Sequence, residues 1–153
     1  MLKIEIAKRS DGAGLLRCTR ADGSVTWQKQ SERHAVHFTM HDLTHYAVET
    51  TLGYQRGFFG LIAEGWDMDD TTGKGSRGRL PAEAGEVECV VGLFDAERGS
   101  GTLWTAEDFA TYSPAPITRE LNDETIQRVR ARRAELFRQW SAVPVGGTLT
   151  LEL

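Results

Sequence analysis

Apolar and polar positions alternate at both ends of the chain and shift to a helical rhythm between them. Leu2, Ile4 and Ile6 are separated by Lys3 and Glu5, the period of two expected of a half-buried strand. Asp11-Gly12-Ala13-Gly14 reads as a turn, residues 15–20 as a second strand and Ala21-Asp22-Gly23 as a hairpin turn. Residues 24–30 then read as a third strand with Val25 and Trp27 on one face. Residues 34–38 fit either an extended segment or the start of a helix. Thr39 offers an N-cap with Asp42 three positions on, which predicts a helix over 40–52 that stops at Gly53. A short apolar segment, 57–65, has helical character. It is followed by a long loop, 66–79, acidic at first (Asp67, Asp69, Asp70) and then glycine-rich and basic (Lys74, Arg77, Arg79).

Pro81 opens the next helix, where its missing N–H costs nothing, and Val87, Val90, Val91 and Phe94 recur at helical spacing up to Gly99. Residues 106–112 suggest a short helix. Asn122 caps an amphipathic helix running through about Trp140, with Ile126, Val129, Leu136, Phe137 and Trp140 on one stripe. After Pro144 and Gly146-Gly147 comes a last alternating strand, 148–153, expected to pair beside the first. The order of these elements predicts an α+β fold. Its antiparallel sheet would have about four strands, the N-terminal meander plus the C-terminal strand, packed against three to four helices.

With 153 residues the chain is expected to form a single domain, 1–153. No apolar run approaches the roughly 18–20 residues that span a bilayer. The alternating N-terminus also lacks the apolar stretch of a secretory leader, so the expectation is a cytoplasmic protein without membrane contact. A net charge of −4 exerts no general pull on nucleic acid. The arginines around Arg128 to Arg138 are offset by Glu120, Asp123, Glu124 and Glu135, as on a solvated helix face. Cys18 and Cys89 form no Cys-x-x-Cys pair, and a disulfide between them is disfavoured in a reducing compartment. The stretch Gly73 to Arg79 lacks the ending of a Walker A loop and reads as a mobile solvent loop, or as a lid over a site near Glu64.

One stretch carries concentrated chemistry. All four histidines fall at positions 34, 37, 41 and 45, and Glu49 follows four residues after the last. Steps of three and four keep side chains on one helical face, with Cβ atoms about 5–6 Å apart. Imidazoles at i and i+4 can converge on one ion, because Zn–N bonds are about 2.0–2.1 Å long. Taken singly, each of these residues is ordinary; four histidines phased to one face point to a divalent-metal site, with His37, His41 and His45 as ligands.

The segment His41-Asp42-Leu43-Thr44-His45 resembles the active-site helix of the zincin metallohydrolases, whose pattern is His-Glu-x-x-His. Glu64 lies nineteen residues after His45 in a second apolar segment, similar to the glutamate ligand of the gluzincin branch. The resemblance implies His41, His45 and Glu64 as ligands and Asp42 as general base, although aspartate stands where the pattern has glutamate. Glu49 competes with Asp42 for the proton-accepting role. The chemistry expected of such a site is metal-assisted hydrolysis of a small-molecule or peptide substrate, with zinc first and Fe(II) or Mn(II) as alternatives. The competing reading is a non-catalytic binding or regulatory module, in which the histidine face meets a partner or senses pH. An enzyme site should be concave and include Glu64 and Trp66; a docking face should be flat and rimmed by Tyr46 or Tyr54.

Overall fold

The structure, a computed structural model, describes residues 1–28 and 35–153. His34 and the expected end of the third strand at residue 30 lie outside the described residues. The alternating segments become β1 (Lys3–Lys8), β2 (Gly14–Thr19), β3 (Val25–Trp27) and β4 (Thr148–Glu152). They form one antiparallel sheet in the order β3-β2-β1-β4, so the C-terminal strand pairs with the first as expected. Ile4 stands opposite Cys18 on one side and Leu151 on the other. This register sends Leu2, Ile4, Ile6, Leu16, Cys18, Leu149 and Leu151 to one buried face. Because side chains alternate strictly, a one-residue slip would turn all of them to solvent.

Among the described residues, three long helices and two of seven residues complete the α+β fold: α1 (Ala35–Leu52), α2 (Phe58–Glu64), α3 (Ala82–Ser100), α4 (Ala106–Tyr112) and α5 (Asp123–Ala142). The buried sheet face and the helices share one hydrophobic cluster. Helix α1 is its centre, packing against β2, α2, α3 and α5. Tyr46 ties it to the sheet by donating its hydroxyl to the Glu152 carbonyl at 2.6 Å.

Helix α1 starts earlier than its capping signals suggest. Thr39 is not an N-cap: it lies inside the helix and is fully buried. Its side chain fills the space beside Gly14, where a Cβ would stand only 2.4 Å from Thr39 Oγ1. Tertiary packing therefore claims the hydroxyl that a cap would have used, and Asp42 loses its expected capping role with it.

The acidic part of the loop is partly built into the fold: Asp70 is buried, accepting from the Asp67 amide at 2.9 Å and facing Arg77 at 3.7 Å. Arg20 reaches across from the sheet to the carbonyls of Ile62 and Trp66, pinning the start of that loop. Both cysteines are free. Among the described residues, no helix is long and apolar enough to cross a membrane.

Candidate metal centre

The histidine face of α1 meets a carboxylate edge of α3. His37, His41 and His45 stand one helical turn apart; the His37 and His41 rings are stacked at 6.0 Å, and the His41 and His45 rings meet edge-on at 4.8 Å. Helix α3 supplies Glu88 and Asp95, seven residues apart and hence on nearly the same side. His41 Nδ1 lies 2.7 Å from Asp95 Oδ2, and His45 Nε2 lies 3.3 Å from Glu88 Oε1. Two overlapping groups result. The donor atoms of His37, His41 and Asp95 lie within 4.8 Å of one another, and so do those of His41, His45 and Glu88. Either group could hold a metal ion.

The two inner imidazoles are oriented in the same way. His45 Nδ1 faces Glu49 Oε2 at 3.2 Å, just as His41 Nδ1 faces Asp95. A carboxylate at Nδ1 is the usual outer support of metal-binding histidines, turning Nε2 toward an ion; in His45 that Nε2 now faces Glu88. Glu49 is itself held firmly, with Oε1 accepting from the amides of Phe59 and Gly60 at 3.1 and 3.3 Å. Gly57 makes room for it, since a Cβ there would stand 2.4 Å from the Glu49 carboxyl carbon.

Burial sets the electrostatics. Removal from water alone lowers the His45 pKa, but its hydrogen bonds to Glu49 and Glu88, and their charges, outweigh that and push it up to about 10. His45 is therefore an imidazolium at neutral pH when no ion competes, and metal binding there must displace a proton. Burial raises Glu88 and Asp95, yet the bonds to His45 and His41 win and hold both carboxyls below their ordinary range. Asp42 shows the opposite balance: burial dominates over the attraction of His45 and His41 and lifts it to about 7. Its Oδ2, like Asp95 Oδ1, has no hydrogen-bond partner among the described residues.

The residues expected at the site have thus been sorted by the fold. His37, His41 and His45 come together. Glu49 joins them through His45 but lies in neither convergent group. Asp42 is 3 % exposed and also lies outside both groups; burial pushes the Cys18 thiol up, and the Asp42 charge raises it further. Glu64 is exposed, accepts from Arg56 Nε at 2.8 Å and lies in neither convergent group. Trp66 packs with Leu61 and Ala84 in a separate small cluster. Tyr46 and Tyr54 are buried, so neither rims a docking face.

Glu88 and Asp95 went unremarked in the sequence. Their signal is an acidic pair at i and i+7, flanking the stripe of Val87, Val91 and Phe94 where solvated residues would otherwise sit. No protein-family model, curated protein or solved structure matches the chain.

Proposed function

We propose that this chain binds a divalent transition-metal ion, zinc in the first place, through His41, His45 and Glu88. The observation that carries this reading is the convergence of two imidazoles and a carboxylate from two packed helices, each imidazole already holding a further carboxylate at Nδ1. Two nitrogens and one oxygen are a donor set that zinc takes with a fourth position left open. The same set suits Fe(II) or Mn(II) where more positions stay open.

An ion so held supplies Lewis acidity at its open position, and hydrolysis of a small organic substrate is the activity such a set supports. On this reading Glu49 is a positioning residue, because both its oxygens are engaged by His45 and the amides at the start of α2. Beside Glu88, a cavity of about 360 Å³ lined by Cys89, Leu93, Trp104 and Tyr112 offers an apolar seat for part of a substrate.

Elemental analysis of the purified chain, reconstituted with zinc and then desalted, tests the binding. About one zinc per chain is expected for the wild type and trace amounts for His41→Ala. Trace zinc in the wild type would remove the reading. Assays of ester, amide and phosphate cleavage by the zinc-loaded chain, with His41→Ala as the blank, test the hydrolytic part.

A further inference from the structure

We infer that the ion has two mutually exclusive seats sharing His41: an inner one with His45 and Glu88, and an outer one with His37 and Asp95 through which the inner seat is loaded. This inference rests on the metal-binding reading above and specifies how that site fills.

Both groups are complete by the same geometric measure, with donor atoms inside 4.8 Å, and His41 belongs to each. A neutral imidazole has one protonated nitrogen and one lone pair. His41 can therefore give that lone pair to one ion at a time. Two ions bound together would require His41 to lose its remaining ring proton, a far costlier state.

The seats differ in access. Among the imidazoles, His37 is exposed and His41 partly so, whereas His45 is 2 % exposed with both ring nitrogens engaged; of the two carboxylates, Glu88 is the more open, at 46 % against 16 % for Asp95. The outer seat also has an acceptor to spare. Asp95 Oδ2 faces His41, while its Oδ1 is buried, lacks a hydrogen-bond partner among the described residues and has the Arg98 guanidinium only at ion-pair distance, 3.8 Å. A buried carboxylate oxygen normally has a partner, a water or an ion. A cation beside Oδ1 would satisfy it.

Loading is then a short exchange of partners. The ion first meets His37, Asp95 and His41. It moves inward as His45 gives up its proton and Glu88 replaces Asp95, which returns to hold His41 Nδ1–H. Apart from the one ring N–H bond that His45 gives up, whose proton passes to solvent, only coordination and hydrogen bonds are made or broken.

The test uses the full chain stripped of metal. Co(II), whose absorption reports its ligands, is mixed rapidly with it, and zinc stoichiometry is measured separately. The wild type should take up one ion per chain. His37→Ala should still take up one ion with nearly unchanged affinity, but load about tenfold more slowly, since an exposed donor at the mouth concentrates the incoming cation. Glu88→Ala should retain one weakly held ion with an altered Co(II) spectrum, the outer seat alone. His37 is exposed and the Glu88 side chain 46 % so, which keeps both variants folded; circular dichroism checks that.

Two ions per chain in the wild type would overturn the exclusive seats while leaving metal binding intact. His37→Ala loading at the wild-type rate would overturn the outer seat's role, and loss of all binding in Glu88→Ala would mean a single site. A wild type that takes up no ion sinks the underlying metal reading itself.

Discussion

Helix α3 engages carboxylates at two places, and they are neutralised in contrasting ways. Toward its C-terminal end, Glu97 accepts from Arg130 and from the Trp104 amide, with Arg133 at 3.7 Å. Two residues before it Asp95 faces His41, and half a helix away Glu88 faces His45. Arginine does not release its proton in a protein, so the Glu97 cluster has one charge state and one structure. An imidazole can release its proton and offer a lone pair, so the second cluster can exchange a proton for a metal ion. One cluster fixes the packing of α3 on α5; the other is built to change partners.

The largest effect is expected from breaking the fixed cluster. Glu97→Gln leaves Arg130 and Arg133 largely buried without a countercharge and should destabilise the fold by about 3–5 kcal/mol in urea unfolding. Zinc stoichiometry of the folded fraction should not change. A loss below about 1 kcal/mol would show that the arginines find other partners and that the contrast between the clusters is weaker than their geometry suggests.

Why one cluster was partly legible in the sequence and the other was not follows from distance along the chain. The histidines announce themselves because i, i+4 spacing is local, and the strands were legible because alternation is local too. The carboxylates that complete the site come from 43 to 54 residues away, such as Asp95 opposite His41. Only the packing of α1 against α3 decides that they, and not Glu64, meet the imidazoles. The early start of α1 escaped for a similar reason: Thr39 reads locally as a cap, and the slot at Gly14 that absorbs it lies on another element.

Within the exchangeable cluster, Glu49→Gln should weaken zinc binding by about 10–100-fold, the usual cost of removing a carboxylate that orients a metal-bound histidine. Zinc titration with a competing chelator measures it. Unchanged affinity would mean that Glu49 serves only α2 and that His45 needs no support.

The clusters should also differ in their response to pH. His45 holds its proton to about 10 in the folded chain and to an ordinary 6.5 when unfolded. Between these values the folded state binds more protons than the unfolded one, so stability falls as pH rises. The contribution is complete below about pH 6.5 and lost through about pH 10. The slope from one such group is at most about 1.4 kcal/mol per pH unit. Urea unfolding of the ion-free chain at pH 7, 8 and 9 should show the decline, and saturating zinc should remove the His45 part of it, because the metal-bound imidazole is already neutral; the raised Asp42 and Cys18 add smaller slopes of the same sign at the two ends of this range. The Glu97 cluster adds no slope there, so a flat profile would place His45 among the fixed groups as well.

The smallest effect is expected at Glu64, the residue whose spacing most resembled a zincin ligand. It sits on the exposed side of α2 in a surface pair with Arg56, and both side chains are more than two-fifths exposed. Surface pairs of this kind contribute about 0.2–1 kcal/mol, and neither convergent donor group includes it. Glu64→Ala should therefore change stability by less than about 1 kcal/mol and leave zinc affinity untouched. Chelator competition on this variant beside Glu88→Ala compares two glutamates of similar exposure, one aimed at His45 and one aimed at Arg56. If removing Glu64 costs more zinc affinity than removing Glu88, the ion is held by α1 and α2 rather than by α1 and α3. The contrast between the two clusters of α3 would then be one of packing alone.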